Sequence, residues 1–239
     1  MPSATDTTLP QLFLLSPAHC GGRRAGYLLR EGSTLMPAIR LAEGRLTLGE
    51  AFTFMSGLYF RGKLAYARAF GRHDPPALVI TPTRGLQPPD LIVSPALLRE
   101  FAEVDVSQGG ARYRLPLERS LEALGRTLPR TARVVLLGSI ATGKYVDVLA
   151  EALGERLHFP IDFVGRGDMS RGGLMLRAAA TGMELRYCTL EPGISRRGPR
   201  PPRLTPMPGS TRLLPGQEQD EGRRRGTALA PSTRGGSRR

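Results

Sequence analysis

Two glycine-rich stretches hold the residues whose types and spacing could do chemistry. The first, Gly138-Ser139-Ile-Ala-Thr-Gly143-Lys144, follows the apolar run Val134 to Leu137. Gly138-x4-Gly143-Lys144 matches most of a P-loop, where backbone N–H groups cradle phosphate and a lysine adds a point charge. Ser139 and Lys144 would then be ligand contacts. The next residue is Tyr145, where a Mg²⁺-dependent NTPase needs Ser or Thr, and no strand ends in a clear second metal-binding Asp. Binding a phosphate or nucleotide without hydrolysis fits the loop better. The second stretch is Gly165-Arg166-Gly-Asp168-Met-Ser-Arg171-Gly-Gly173. Arg166 and Arg171 could clamp an anion bidentately. Asp168, its only carboxylate, could act as general base or position water. A plainer use is equally open: Asp168 or Ser170 caps the following helix and Arg166 pairs with an acid elsewhere.

Three further candidates lie outside these loops. His19 follows the first apolar run, in Ser16-Pro-Ala-His-Cys-Gly-Gly22, and would be a second polar group of a site. Its neighbour Cys20 makes a poor nucleophile partner, because adjacent side chains point apart. Arg84 sits in the proline-stiffened loop Thr81 to Asp90, and loops of that kind often carry function. Lys63 shares a helical face with Tyr59 and Tyr66, which suits a stacked or anionic ligand and equally a snorkelling lysine. Only two of the 34 basic residues are lysines, Lys63 and Lys144. A compact ammonium in an Arg-dominated chain marks a position where a planar fork would not fit.

The elements that must position these residues follow from periodicity. Strands are predicted at Gln11–Ser16, Ala77–Ile80, Val134–Leu137, Arg156–Phe159 and Glu184–Leu190, the first as a buried strand and Val134–Leu137 as an apolar run of the buried, parallel kind. Helical spacing appears at 35–42, 48–55, 58–70, 94–102, 115–128, after Lys144, and at 174–180. Thr47 and Glu50 form a capping box; Ser94-Pro95 reads as N-cap and first helical residue. The expected fold is a three-layer α/β sandwich with a mostly parallel sheet of four or five strands. In such sheets the loops after the strands' carboxyl ends hold the ligand.

The formal charge is +13, and residues 191–239 carry eleven arginines against four acids. A basic balance favours a nucleotide, nucleoside or nucleic-acid partner, though a compositional bias toward Arg gives the same numbers. A flexible start (1–9), one α/β domain (10–191) and a disordered Arg/Pro/Gly-rich tail (192–239) are expected. The two cysteines match no metal spacing and read as reduced thiols of a cytoplasmic protein. No run suits a membrane span, and nothing calls for a metal or cofactor.

Leu136-Leu-Gly-Ser-Ile-Ala-Thr-Gly-Lys144 resembles the strand and turn of the uracil-DNA glycosylase superfamily. Residues 11–190, including Ile80 to Asp90, resemble an uncharacterised bacterial α/β family of that fold. The resemblance implies a glycosylase-like sheet and binding of a nucleobase or nucleotide. It does not carry over uracil excision: the first loop lacks the family's catalytic Asp and base-packing Tyr, and the late loop has Arg and Asp in place of His. The function expected is action at an N-glycosidic or phosphate-bearing centre, with Asp168 as base and Arg166 and Arg171 as clamp. The rivals are a non-catalytic nucleic-acid-binding module and a degenerate P-loop protein.

Overall fold

The structure is a computed structural model that describes residues 9–140 and 143–189 and, beyond them, 198, 199, 201, 202 and 204, the side chains of 143 and 144 excepted. These residues belong to one compact unit that runs to Leu204. The unit therefore extends past the boundary expected at 191. A β-carbon on Gly165 would lie 2.2 Å from the Pro199 carbonyl oxygen, so that later segment crosses the loop before Asp168. The flexible start, apart from Leu9, and most of the predicted disordered tail lie outside the described residues.

Four apolar runs pair in parallel: β1 (Gln11–Leu15), β2 (Ala77–Ile80), β4 (Arg133–Leu137) and β5 (Leu157–Pro160). Their mostly apolar sequences match their place, since both faces of the sheet are covered. Phe13 and Leu15 face one hydrophobic core and Leu12 and Leu14 the other. The first core is closed by α1 (Arg23–Leu29), α2 (Met36–Ala42), α3 (Leu48–Ser56), α4 (Leu58–Phe70), α5 (Pro95–Ala102) and α8 (Asp168–Thr181). The second is closed by α6 (Ala111–Thr127) and α7 (Gly143–Leu153).

The sheet corrects the expectation of a mostly parallel sheet of four or five strands. Among the described residues it is mixed and six-stranded, in the order β3-β2-β1-β4-β5-β6. Both edge strands, β3 (Leu86–Gln87) and β6 (Tyr187–Thr189), run antiparallel to their neighbours. β3 lies inside what reads as a loop. The chain reverses at Gly85 (φ 61°), where the Thr81 amide donates to the Gly85 carbonyl at 2.8 Å. Two residues are too few to show a period, and the direction of an edge strand depends on where the preceding segment delivers the chain.

Three helix boundaries also differ. α1 follows Gly21-Gly22 in a stretch that reads as loop, and α6 starts four residues early, carrying Pro116 inside it. α8 starts at Asp168 and not at Leu174, so Gly172 and Gly173 are helical. The glycines serve tertiary contact. A β-carbon on Gly62 would lie 2.7 Å from the Gly172 carbonyl oxygen, and one on Gly172 would lie 2.7 Å from that of Leu58. α4 and α8 thus touch backbone to backbone.

The predicted caps are in place. The Glu50 amide donates to Thr47 Oγ1 at 3.3 Å, and the Thr47 amide donates to Glu50 Oε2 at 2.9 Å. Thr47→Ala is expected to cost about 1 kcal/mol of unfolding free energy, read from the urea midpoint at unchanged slope. No change would mean that α3 is held by packing alone. Among the described residues no helix is long and apolar enough to cross a membrane.

Candidate active site at the switch point of the sheet

The strand order reverses at β1, whose sequence neighbour β2 lies on one side and β4 on the other. Where connections leave in opposite directions, a crevice opens outside the carboxyl ends of the strands. Here it is a cleft of about 380 Å³. Its walls come from the β1 exit (Ser16 to Gly21), the β4 exit (Ser139), α4 (Tyr59), α7 (Tyr145), the start of α8 (Asp168) and the segment after α5 (Val104 to Ser107).

Three of the predicted site residues meet there: His19, Ser139 and Asp168. His19 is exposed on the β1 exit loop. Its ring lies over Gly22, where a β-carbon would come within 3.1 Å of His19 Cδ2. Asp168 is the first residue of α8 and its side chain is 66% exposed. It does not cap the helix, and neither does Ser170: Gly167 is the N-cap and makes no side-chain cap bond. Gly138 is buried where β4 ends, and a β-carbon there would sit 3.0 Å from Ser16 Cβ. It lets the two exits pack closely. Residues 141–142 and the side chain of Lys144 lie outside the described residues.

The remaining predicted ligand residues are held elsewhere. Arg84 grips Glu100 of α5 with both prongs, at 2.9 and 2.6 Å, and does not line the cleft. Hydrogen bonds from Arg84, with a further one from Thr83, hold the Glu100 carboxyl below its ordinary range. Arg166 donates to the Asp162 carbonyl at 3.0 Å and to Ser170 Oγ at 3.2 Å, bracing its own loop. Its expected acidic partner is replaced by these neutral acceptors. Arg171 is buried and donates to the Phe163 carbonyl at 3.2 Å, with Asp168 at 3.5 Å. The expected Arg166–Arg171 anion clamp is therefore not assembled: both guanidiniums stitch the start of α8 to the preceding loop. A fork matches backbone carbonyls as well as phosphate, and sequence cannot tell which it meets.

Lys63 is 1% exposed. Its ammonium donates to the Ser16 carbonyl at 2.9 Å and to Ser16 Oγ at 2.7 Å, and lies 3.9 Å from the centre of the Tyr59 ring. It supports the cleft from behind. Its face-mate Tyr66 does not line the cleft; its hydroxyl meets that of Tyr187 at 2.6 Å.

Several cleft residues carry little sequence signal. Tyr145 reads mainly as the residue that spoils the P-loop, and Asp105 as part of a connector. The Asp105 carboxylate accepts from the Ser107 amide at 2.8 Å and caps a short 3-10 turn. Tyr59 is 5% exposed; Arg171 lies beside its hydroxyl, outside good hydrogen-bond geometry. Burial pushes the Tyr59 phenol up to about 12. Tyr145 is also raised, by burial and then by Tyr59, Asp168 and Asp105. Tyr145 thus lies near the Tyr59 phenol and both carboxylates, and both phenols stay protonated at neutral pH.

Cys20 lines the same cleft, with burial pushing its thiol up to about 12. A protonated thiol is not a nucleophile. Its ordinary value is 9.0 and that of Tyr59 is 10.0. Above pH 9 the unfolded chain releases these protons first, so stability must fall as pH rises through that window. The thermal midpoint should decline from about pH 9 upward, and Cys20→Ala should delay the onset toward the tyrosine range. An unchanged onset in that variant would remove Cys20 as the cause.

Among the described residues no group of three or more His, Cys, Asp or Glu side chains could hold a metal ion. A larger groove, about 1000 Å³, runs along α2, α3 and α4 beside the amino end of β2 and contains none of the predicted site residues. The fold is that of an α/β protein with a cleft, partly walled by Tyr59 and Tyr145, at its topological switch point. No family model, curated protein or solved structure matches the chain.

Proposed function

We propose that the chain binds a nucleobase-bearing ligand in this cleft and acts at its N-glycosidic bond. The observation that carries the reading is the meeting of His19, Ser139 and Asp168 with Tyr59 and Tyr145 at the switch point. A cleft of about 380 Å³ is within the usual size of small-ligand sites. The small exposed parts of Tyr59 and Tyr145 add apolar wall against which a base could pack, and an exposed carboxylate can orient water toward a sugar carbon. His19, on the opposite exit loop, is a candidate to hold or deliver the proton for the departing base.

The phosphate-bearing alternative is less well supported. No lysine or arginine lines the cleft among the described residues, and the four Arg and Lys candidates with described side chains are engaged in the fold. Tyr145, immediately after Lys144, supplies an aromatic wall where a P-loop protein would hold Mg²⁺.

Purified protein incubated with a panel of nucleosides and their 5′-monophosphates should release free base, followed by chromatography. Asp168→Asn should lower that rate about 100-fold, with a modest drop in the thermal midpoint because Asp168 is exposed but its partner Arg171, at 3.5 Å, is buried. Absence of both base release and saturable nucleoside binding would overturn the reading. Retained nucleic-acid binding that depends only on residues 192–239 would then favour the binding-module alternative.

A further inference from the structure

The groove along α2, α3 and α4 shares no lining residue with the cleft. Its apolar lining includes Phe54, Leu64, Pro37, Pro75, Pro76 and Pro89. Prolines are already stiff, so apolar surface of this kind loses little freedom on docking. Two apolar side chains project beside it. Met36 lines the groove and is 67% exposed; Leu35 lines an adjoining hollow, which shares Phe54 and Arg61 with the groove, and is 41% exposed. The charges are more specific. Arg61 and Arg68 lie two turns apart on one face of α4, about 10 Å along its axis. Asp74 precedes β2 and Asp90 follows β3. All four are exposed and line the groove, and among the described residues none is in a salt bridge. Arg40 and Glu50, in the same lining, pair with each other at 2.8 Å.

We propose that this groove is an isologous interface at which two copies of the chain pair. A two-fold axis sets each residue of a patch opposite another residue of the same patch. Here it sets Arg61 and Arg68 of one copy against Asp74 and Asp90 of the other, twice over. Leu35 and Met36 of each copy enter the hollow of its mate. A wholly acidic occupant would meet Asp74 and Asp90, and a wholly basic one Arg61 and Arg68; like charges in contact are costly. The occupant must carry both signs beside projecting apolar side chains, and this surface does. The chain's net charge of +13 does not oppose the contact locally, because the groove holds three arginines against three acids. Pairing here uses no residue of the cleft and does not depend on the N-glycosidic reading.

Sedimentation of the full chain over a concentration series should show a monomer–dimer equilibrium. Arg61→Glu with Arg68→Glu, and separately Asp74→Arg with Asp90→Arg, should each weaken self-association about tenfold or more, because each leaves only like charges across the axis. Mixing the two variants should restore a one-to-one pair, since every charged contact is then between opposite signs. Met36→Glu should weaken the dimer in the same assay. All five positions are exposed, so thermal midpoints should stay near that of the wild type, which separates a lost interface from a lost fold. A monomer at every concentration overturns the proposal. So does a dimer indifferent to both charge reversals, which would lie on another face, and so does a mixture of the two variants that fails to pair.

Discussion

Gly172→Val should cost the fold about 3 kcal/mol or more, enough to unfold much of a marginally stable domain. A β-carbon at Gly172 meets the Leu58 carbonyl oxygen at 2.7 Å and Tyr59 Cα at 2.9 Å. Both are backbone atoms of α4, so no side-chain rotation relieves the clash. The helices would have to separate, undoing the packing of Met175 and Ala178 with Phe60 and Leu64. The adjacent residue supplies the control. A β-carbon at Gly173 meets only Leu204 Cδ1, at 3.6 Å, an ordinary contact. Gly173→Ala should therefore be neutral or stabilise by up to about 1 kcal/mol through helix propensity. Urea denaturation of the pair measures the contrast. Equal stability of the two variants would refute the backbone contact between α4 and α8.

The second large effect is at Lys63, where Lys63→Ala should cost about 3 to 5 kcal/mol. Its ammonium is almost fully buried and donates twice to Ser16. Truncation leaves the Ser16 carbonyl without that donor, opens a void beneath Tyr59 and removes the charge from its ring. Lys63→Met restores volume but not the donors, so a smaller loss of about 1 to 3 kcal/mol is expected. Lys63→Arg should also destabilise, because a planar fork cannot replace a compact ammonium between a ring and a serine. The order wild type, Met, Ala in denaturation midpoints is the prediction; Ala at or above Met would contradict it. Since Ser16 and Tyr59 both line the cleft, the same variants should weaken nucleoside binding even where they remain folded.

These two positions show how the site is built. The α4–α8 contact brings Tyr59 and Asp168 to one cleft, and Lys63 fixes the β1 exit against α4. Lys63, expected as a ligand contact, is instead a buried brace, and the glycine contact contributes no ligand-binding group.

Much of the architecture was legible in local pattern. Short apolar runs bounded by turn residues, such as Leu12–Leu15 and Val134–Leu137, read as buried strands, and Thr47/Glu50 and Ser94-Pro95 announce their helix starts by side-chain chemistry within four residues. Strand ends followed by small or polar residues also placed His19, Ser139 and Asp168 on loops that a parallel sheet brings to one edge. What sequence could not decide was the use of charge and of glycine. Arg84, Arg166 and Arg171 have the fork an anion needs, yet each meets a carboxylate or carbonyl of the protein itself. Gly172 and Gly173 read as loop because helix propensity is local, whereas their purpose is to admit another helix. Asp105 and Tyr145 entered the cleft by the packing of α5, α6 and α7, with no motif to mark them. By itself the sequence determined five of the six described strands and most helices, and it named three residues that meet at one cleft. Only tertiary structure decided which charges face open space, because a partner distant in the chain leaves no trace in local spacing.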